Sequence, residues 1–258
     1  RMSTLFHAKY WAHDLLLQRA PDQVEALASL GNARVDLNPH QVDAALFALR
    51  SPYSTGALLA DEVGLGKTIE AALVLAQRWA ERRRKILLIV PATLRKQWQT
   101  ELSDKFYLPS AILETKSFNA ALKDGLKNPF SLEGDRERII ITSYQFAFAK
   151  RGEIADVPWD LVVIDEAHRL RSIYKGAKTA KGIVEALGTA RKLLLTATPL
   201  QNSPMELYGL VSIIDPDVFG TPEAFAAQYK VDEDEVDERN ARLRDRLQHI
   251  CKRTLRKQ

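Results

Sequence analysis

Residues 60–70 read Ala60-Asp61-Glu62-Val63-Gly64-Leu65-Gly66-Lys67-Thr68-Ile69-Glu70. They follow an apolar run, Gly56 to Leu59, and open a helical pattern that continues from Ile69 to Glu81. Apolar run, glycines and helix in that order make a strand–turn–helix unit. Glycines at 64 and 66 let the backbone curl so that several N–H groups converge on one anion. The helix start adds the positive end of its dipole. Lys67 is then placed to reach the outer phosphates of a nucleotide, and Thr68 to put a hydroxyl on Mg²⁺. The stretch departs from the general GxxxxGK[ST] form, because Asp61 stands at the first glycine position.

The whole chain has 258 residues, 46% hydrophobic and 27% charged, ample for one large α/β domain with an appended helical region or for two small domains. One cysteine, Cys251, excludes a disulfide framework and fits the reducing cytoplasm. No apolar run reaches the roughly 18 residues that cross a bilayer, so no membrane partner is expected. A net charge of +4 permits a nucleic-acid partner without demanding one.

Taken in order, residues 3–30 show apolar residues at helical spacing, ending at Gly31-Asn32. Asn38-Pro39 then caps and starts a helix running to Leu49. Its Gln41 carries an amide whose donor and acceptor match one edge of adenine. Lys85 to Val90 reads as a buried strand stopped by Pro91, and Ala92 to Phe106 as a helix. Ala111-Ile112-Leu113 reads as a short strand, and residues 116–138 as a surface helix and a loop. Arg138 to Tyr144, Asp160 to His168 and Lys192 to Pro199 are further apolar runs that end in polar residues. Strands alternating with helices predict a doubly wound parallel sheet, whose ligands bind at the carboxyl ends of the strands.

Those strand ends carry chemistry. Asp165 and Glu166 close one strand, and burying two adjacent carboxylates without a cation would be costly. Mg²⁺ resolves this: Asp165 orders the metal's shell and Glu166 activates a water. His168 can bridge to a second site, and Thr196 and Thr198 offer hydroxyls beside the γ-phosphate.

In sequence, Gln41, Asp61 to Thr68, Ile89-Val90-Pro91, Thr142-Ser143-Tyr144, Asp165 to Leu170 and Leu195 to Asn202 resemble the ordered motifs of helicase superfamily two. They are most similar to the Swi/Snf-type DNA translocases, and within these to the bacterial branch that includes the RNA-polymerase-associated ATPase. The resemblance implies a RecA-like lobe over residues 37–230; outside it the residues themselves read as a helical segment over 1–36 and a charged helical tail over 231–258. The resemblance also implies ATP and Mg²⁺ as cofactors. Gln41, Asp61, Gly64, Leu65, Gly66, Lys67, Thr68 and Ile69 would hold the nucleotide, with Lys67, Asp165 and Glu166 catalytic, and Thr68 and Asp165 on the metal. His168, Thr196 and Thr198 would couple nucleotide state to DNA. Thr93, Arg95, Thr142, Ser143 and Tyr144 would touch the backbone of double-stranded DNA, with Lys96 and Arg171 adding charge. A DNA-bound complex such as RNA polymerase is the protein partner the resemblance suggests.

Motors of this superfamily have two lobes, and only about sixty residues follow Thr198. The chain therefore reads as lobe one of a longer protein, whose second RecA-like lobe supplies the arginine finger. Two other readings share the motifs: a strand-separating helicase or restriction-type motor, and a nucleotide- and DNA-binding module without turnover.

Overall fold

In the computed structural model, which describes residues 37–50, 55–62, 66–198, 203–228, 243 and 245–253, the apolar runs form parallel strands. They are β1 (Gly56–Leu59), β2 (Ile86–Val90), β3 (Ser110–Ile112), β4 (Ile139–Ser143), β5 (Leu161–Asp165), β6 (Lys192–Leu195) and β7 (Cys251–Lys252). Their order across the sheet is β3-β4-β2-β5-β6-β1-β7, and every neighbouring pair is parallel. All residues of β1, β2, β4, β5 and β6 are buried, as a sheet covered on both faces requires.

Alternate residues of each strand feed two cores. Ile86, Leu88 and Val90 of β2 join Leu59, Val163 and Leu195 on one face. That face is covered by α1 (Pro39–Arg50), α2 (Lys67–Ala80) and α3 (Arg95–Phe106). Leu87 and Ile89 join Leu58, Val162, Ile164 and Leu194 on the other. Side chains of α4 (Thr115–Lys123), α5 (Tyr144–Ala149), α6 (Arg151–Ala155), α7 (Lys178–Leu187), α8 (Pro204–Ile214) and α9 (Pro222–Gln228) cover it. A β-carbon on Gly56 would lie 2.0 Å from the Lys192 carbonyl oxygen, so β1 and β6 meet closely because residue 56 has no side chain.

Register aligns the polar strand ends. Leu59 of β1 and Asp165 of β5 both pair with Leu195 of β6, Ile89 pairs with Ile164, and Val90 with Ser143. Residues 60–62, 91–93, 143–144, 165–168 and 196–198 therefore share one edge of the sheet, as a doubly wound fold places its ligand site.

The structure differs from the sequence reading in three places. The strand expected to reach His168 stops at Asp165, because Glu166 adopts a left-handed conformation and a 3₁₀ helix, Ala167–Lys175, follows. Tyr144 begins a helix rather than ending a strand. The tail expected to be helical from 231 to 258 is corrected at its far end. Cys251–Lys252 pairs in parallel with β1 and Ile250 enters the core, because β1 would otherwise expose an unpaired edge. The helices expected over residues 3–30, and most of the charged tail, lie outside the described residues.

Candidate nucleotide site

The cradle lies between β1 and α2. Val63, Gly64 and Leu65 are outside the described residues, but both flanks are defined. Gly66, the residue before α2, has φ 90°, a left-handed value that favours glycine. A β-carbon there would also lie 2.3 Å from Gln41 Nε2. Ile69 N–H and Glu70 N–H both donate to the Gly66 carbonyl, so the helix closes at once. The amides of Lys67 and Thr68 precede the first intrahelical bond and remain available to an anion. Lys67 Nζ donates to the carbonyls of Asp61 (2.7 Å) and Glu62 (3.2 Å), which holds its ammonium over the loop.

Gln41 is buried at the start of α1, where its Oε1 accepts the Asn38 N–H at 3.1 Å. This is half of a capping box, with the side chain at the third helical position reaching back to the cap. The amide that sequence reading offered to adenine thus stands at the cradle's rim, its acceptor engaged and its nitrogen against Gly66.

Beneath the cradle are two fully buried acids, Asp61 and Glu70. Burial first, and then the nearby Asp61 carboxylate, raise the Glu70 pKa from its ordinary 4.5 to about 9; Lys67 opposes the rise. Two ionised carboxylates buried side by side would repel, and the proton that Glu70 keeps removes one of the two charges.

On the neighbouring strand end, Asp165 Oδ2 accepts Trp98 Nε1–H at 2.8 Å and Oδ1 accepts the Glu166 N–H at 2.8 Å. Burial raises the Asp165 pKa first, and the Glu166 charge adds to it; the Trp98 bond and Lys67 pull the other way. Glu166 has φ 53° and ψ 46°, a conformation that costs a non-glycine residue about 1–3 kcal/mol. The Tyr144 hydroxyl donates to the carbonyls of Asp165 (2.5 Å) and Glu166 (3.2 Å) and so braces this turn. Glu166 Oε2 lies 3.1 Å from His168 Nδ1, and Thr196 Oγ1 lies 3.5 Å from the same nitrogen. Thr198 N–H donates to Thr196 Oγ1 at 3.2 Å. The structure thus joins Glu166, His168, Thr196 and Thr198 in one chain of contacts.

The donor set fits Mg²⁺. Thr68 and Asp165 offer only oxygen, each Asp165 oxygen has a second lone pair beyond the bond it accepts, and burial leaves the Asp165 carboxylate short of compensating positive charge. Among the described residues no three His, Cys, Asp or Glu side chains form a metal cage. One carboxylate plus substrate phosphates and water is how Mg²⁺ is usually held.

Two hollows open along the same edge. One, of about 390 Å³, is lined by residues including Thr93, Arg95, Lys96 and Lys116. The other, of about 520 Å³, is lined by residues including Arg95, Lys116, Ser143 and Gln145. Arg95 pairs with Glu114 at 2.8 Å between them. Thr93 is exposed, whereas three hydroxyls expected to face a DNA backbone turn inward. Thr142 donates to the Leu113 carbonyl, Ser143 accepts the Phe146 N–H, and Tyr144 grips Asp165 and Glu166. The strand buries Thr142 completely, and helix capping uses Ser143, so their side chains serve the fold first. Arg171 pairs with Glu206 at 3.3 Å.

Residues 38–258 match the SNF2-related domain. The chain belongs to the SNF2-related family. The RNA polymerase-associated protein RapA of Yersinia pseudotuberculosis serotype O:1b (strain IP 31758) is 35% identical over 204 residues, 77% of this chain and 20% of that protein. RapA of Serratia proteamaculans (strain 568) is 34% identical over 207 residues, 78% of this chain and 21% of that protein. The chain thus spans about a fifth of the length of the curated relatives it matches. A solved SWI2/SNF2 ATPase core of Sulfolobus solfataricus in complex with dsDNA has the same fold, with TM-score 0.68 and 22% identity over 87% of this chain and 45% of that one. A second solved SWI2/SNF2 ATPase core domain of Sulfolobus solfataricus gives TM-score 0.66 and 21% identity over 86% of this chain and 44% of that one. The described residues carry the RecA-like fold of an SNF2-related domain.

Three residues of this SNF2-related lobe escaped sequence reading. The Trp98 N–H reaches Asp165 across 67 residues of chain. Glu70, in the first turn of α2, is wholly buried. Glu114 both starts α4 and holds Arg95. Only for Glu70 was there a signal: it sits on a helix whose neighbours Ile69, Ala71 and Ala72 are all apolar. Among the described residues no helix is long and apolar enough to cross a membrane.

Proposed function

We propose that this lobe binds Mg-ATP at the cradle and forms the first half of an ATP-driven motor that moves along double-stranded DNA. The observation that carries the reading is the register, which brings the cradle and the Asp165–Glu166 turn to one sheet edge beside the two basic hollows. Lys67 would face the β- and γ-phosphates, Thr68 and Asp165 would hold the metal, and Gln41 would lie at the adenine end. Bound Mg²⁺ would neutralise charge on the phosphates. Glu166, partly exposed and 3.1 Å from His168 Nδ1, would take the proton of the attacking water. His168, Thr196 and Thr198 would register whether the γ-phosphate is present. Thr93, Arg95 and the Ser143 turn would meet phosphates rather than bases, giving sequence-independent, salt-sensitive binding. The dsDNA named with the Sulfolobus core, and the polymerase named with RapA, support DNA and RNA polymerase as partners.

No described arginine stands in a finger motif, and such a finger contributes roughly 10³–10⁵ in rate. We infer that a second RecA-like lobe supplies it, so residues 1–258 alone would turn over ATP slowly. The test compares steady-state ATPase, with and without saturating duplex, for this chain and for a chain extended to the length of the RapA relatives. The extended chain should be DNA-stimulated, and its Glu166→Gln variant should bind Mg-ATP yet lose roughly 10²-fold or more in rate. Asp165→Asn should instead weaken the Mg²⁺ dependence of binding. Hydrolysis that survives Glu166→Gln would overturn the assignment. Strand displacement of a tailed duplex would favour a helicase instead.

A further inference from the structure

Two aromatic side chains reach the Asp165–Glu166 turn, and each comes from an element that also lines the basic hollows. Tyr144 directly follows Ser143, which lines the larger hollow and caps α5 through the Phe146 N–H. Its buried hydroxyl donates to the carbonyls of Asp165 and Glu166. Trp98 lies three residues beyond Arg95, one turn along the same helix, and its Nε1–H bonds Asp165 Oδ2. Arg95 lines both hollows. We propose that Tyr144 and Trp98 are positioning residues through which a nucleic-acid backbone seated at Arg95 and Ser143 sets the geometry of Glu166, and so the rate of hydrolysis.

The proposal rests on the reading of Glu166 as the water-activating group. Glu166 holds a left-handed backbone that an L-residue adopts only when its surroundings impose it. The Tyr144 hydroxyl is fixed to the two carbonyls that define that backbone. Tyr144 is also the first residue of α5, directly after its cap Ser143. The Arg169 guanidinium lies 5.9 Å from the Tyr144 ring centroid, so the ring is held from the 3₁₀ side as well. On the other side, a phosphate that draws Arg95 away from Glu114 acts on the first turn of α3. Trp98 is one turn further on and orients the carboxylate beside Glu166. The structure holds both ties made; a backbone ligand that favours them over a released arrangement would shift the population toward the braced turn.

The test uses the chain extended to the length of the RapA relatives. Measured are basal ATPase, ATPase at saturating duplex, Mg-ATP affinity and duplex affinity, for wild type, Tyr144→Phe, Trp98→Phe and Glu166→Gln. Tyr144→Phe removes one oxygen and keeps the ring. Its DNA stimulation should fall at least tenfold, while basal rate, Mg-ATP affinity and duplex affinity stay within about threefold. A purely structural role would lower basal and stimulated rates in the same proportion, and that result overturns the proposal, as does unchanged stimulation. Trp98→Phe, which also frees the Asp165 carboxylate, should lose stimulation by a larger factor than basal rate, and it decides the matter if Tyr144→Phe does not fold. If Glu166→Gln remains active, the functional reading itself is wrong. If Glu166→Gln is inactive but both aromatic variants keep full stimulation, only the positioning role fails.

Discussion

At neutral pH the buried Glu70 should weaken the fold that contains it, and Glu70→Gln should strengthen it. Glu70 holds its proton up to about pH 9 in the folded protein, against an ordinary value of 4.5. Below 4.5 both folded and unfolded chains carry the proton, and stability is at its fullest. Between 4.5 and about 9 only the folded chain carries it, so stability falls with rising pH by about 1.4 kcal/mol per pH unit. Above that window the slope vanishes. From 4.5 to pH 7 the loss is about 3 kcal/mol, wherever above pH 7 the folded value lies. Glutamine keeps the shape, donates an N–H toward Asp61 and has no proton to lose. Desolvating its amide takes back part of the gain, leaving about 1–3 kcal/mol at pH 7 and little or none near pH 4.5. Urea unfolding of both proteins at about pH 5, 6, 7 and 8 measures the gap, and titrating groups not coupled to Glu70 cancel in the difference. A gap that does not widen with pH would refute the protonated acid pair.

Two further substitutions probe the cradle. Lys67→Ala removes a charge-assisted contact of about 1.5–3 kcal/mol, so Mg-ATP affinity should fall roughly tenfold or more; calorimetric titration checks it, and unchanged affinity would remove Lys67 from the site. Gly66→Ala forces a side chain into a left-handed residue and against Gln41 Nε2, so it should cost about 1–3 kcal/mol in thermal or urea unfolding and reduce ATP binding as the loop shifts. A variant as stable as wild type that binds ATP normally would show that the rim of the cradle is not held by that contact.

Much of this lobe is legible along the chain. Fully buried parallel strands are continuous apolar runs, so Ile86–Val90, Ile139–Ser143 and Leu161–Asp165 announce themselves. Their polar ends follow in sequence, and a parallel sheet must gather them at one edge, so chain order alone groups Lys67, Asp165, Glu166 and Thr196. These are local signals: a strand's period, a glycine at a turn, a carboxylate where hydrophobicity stops.

Direction and partnership are not local. Whether the Tyr144 hydroxyl faces a phosphate or the Asp165 carbonyl depends on how α5 leaves β4, and the sequence Thr-Ser-Tyr is compatible with both. Trp98 meets Asp165 only because β2 and β5 are neighbours in the sheet, which brings α3 over the end of β5. Glu70 is a buried acid rather than an exposed one because α1 and the sheet close over α2 from both sides. Cys251–Lys252 becomes a strand because β1 has an open edge, not because two residues have any preference of their own. Chain order and residue type determined which groups could do the chemistry. Long-range packing alone decided which of them face a ligand and which hold the others in place, because a side chain's direction is set by neighbours that the local sequence does not contain.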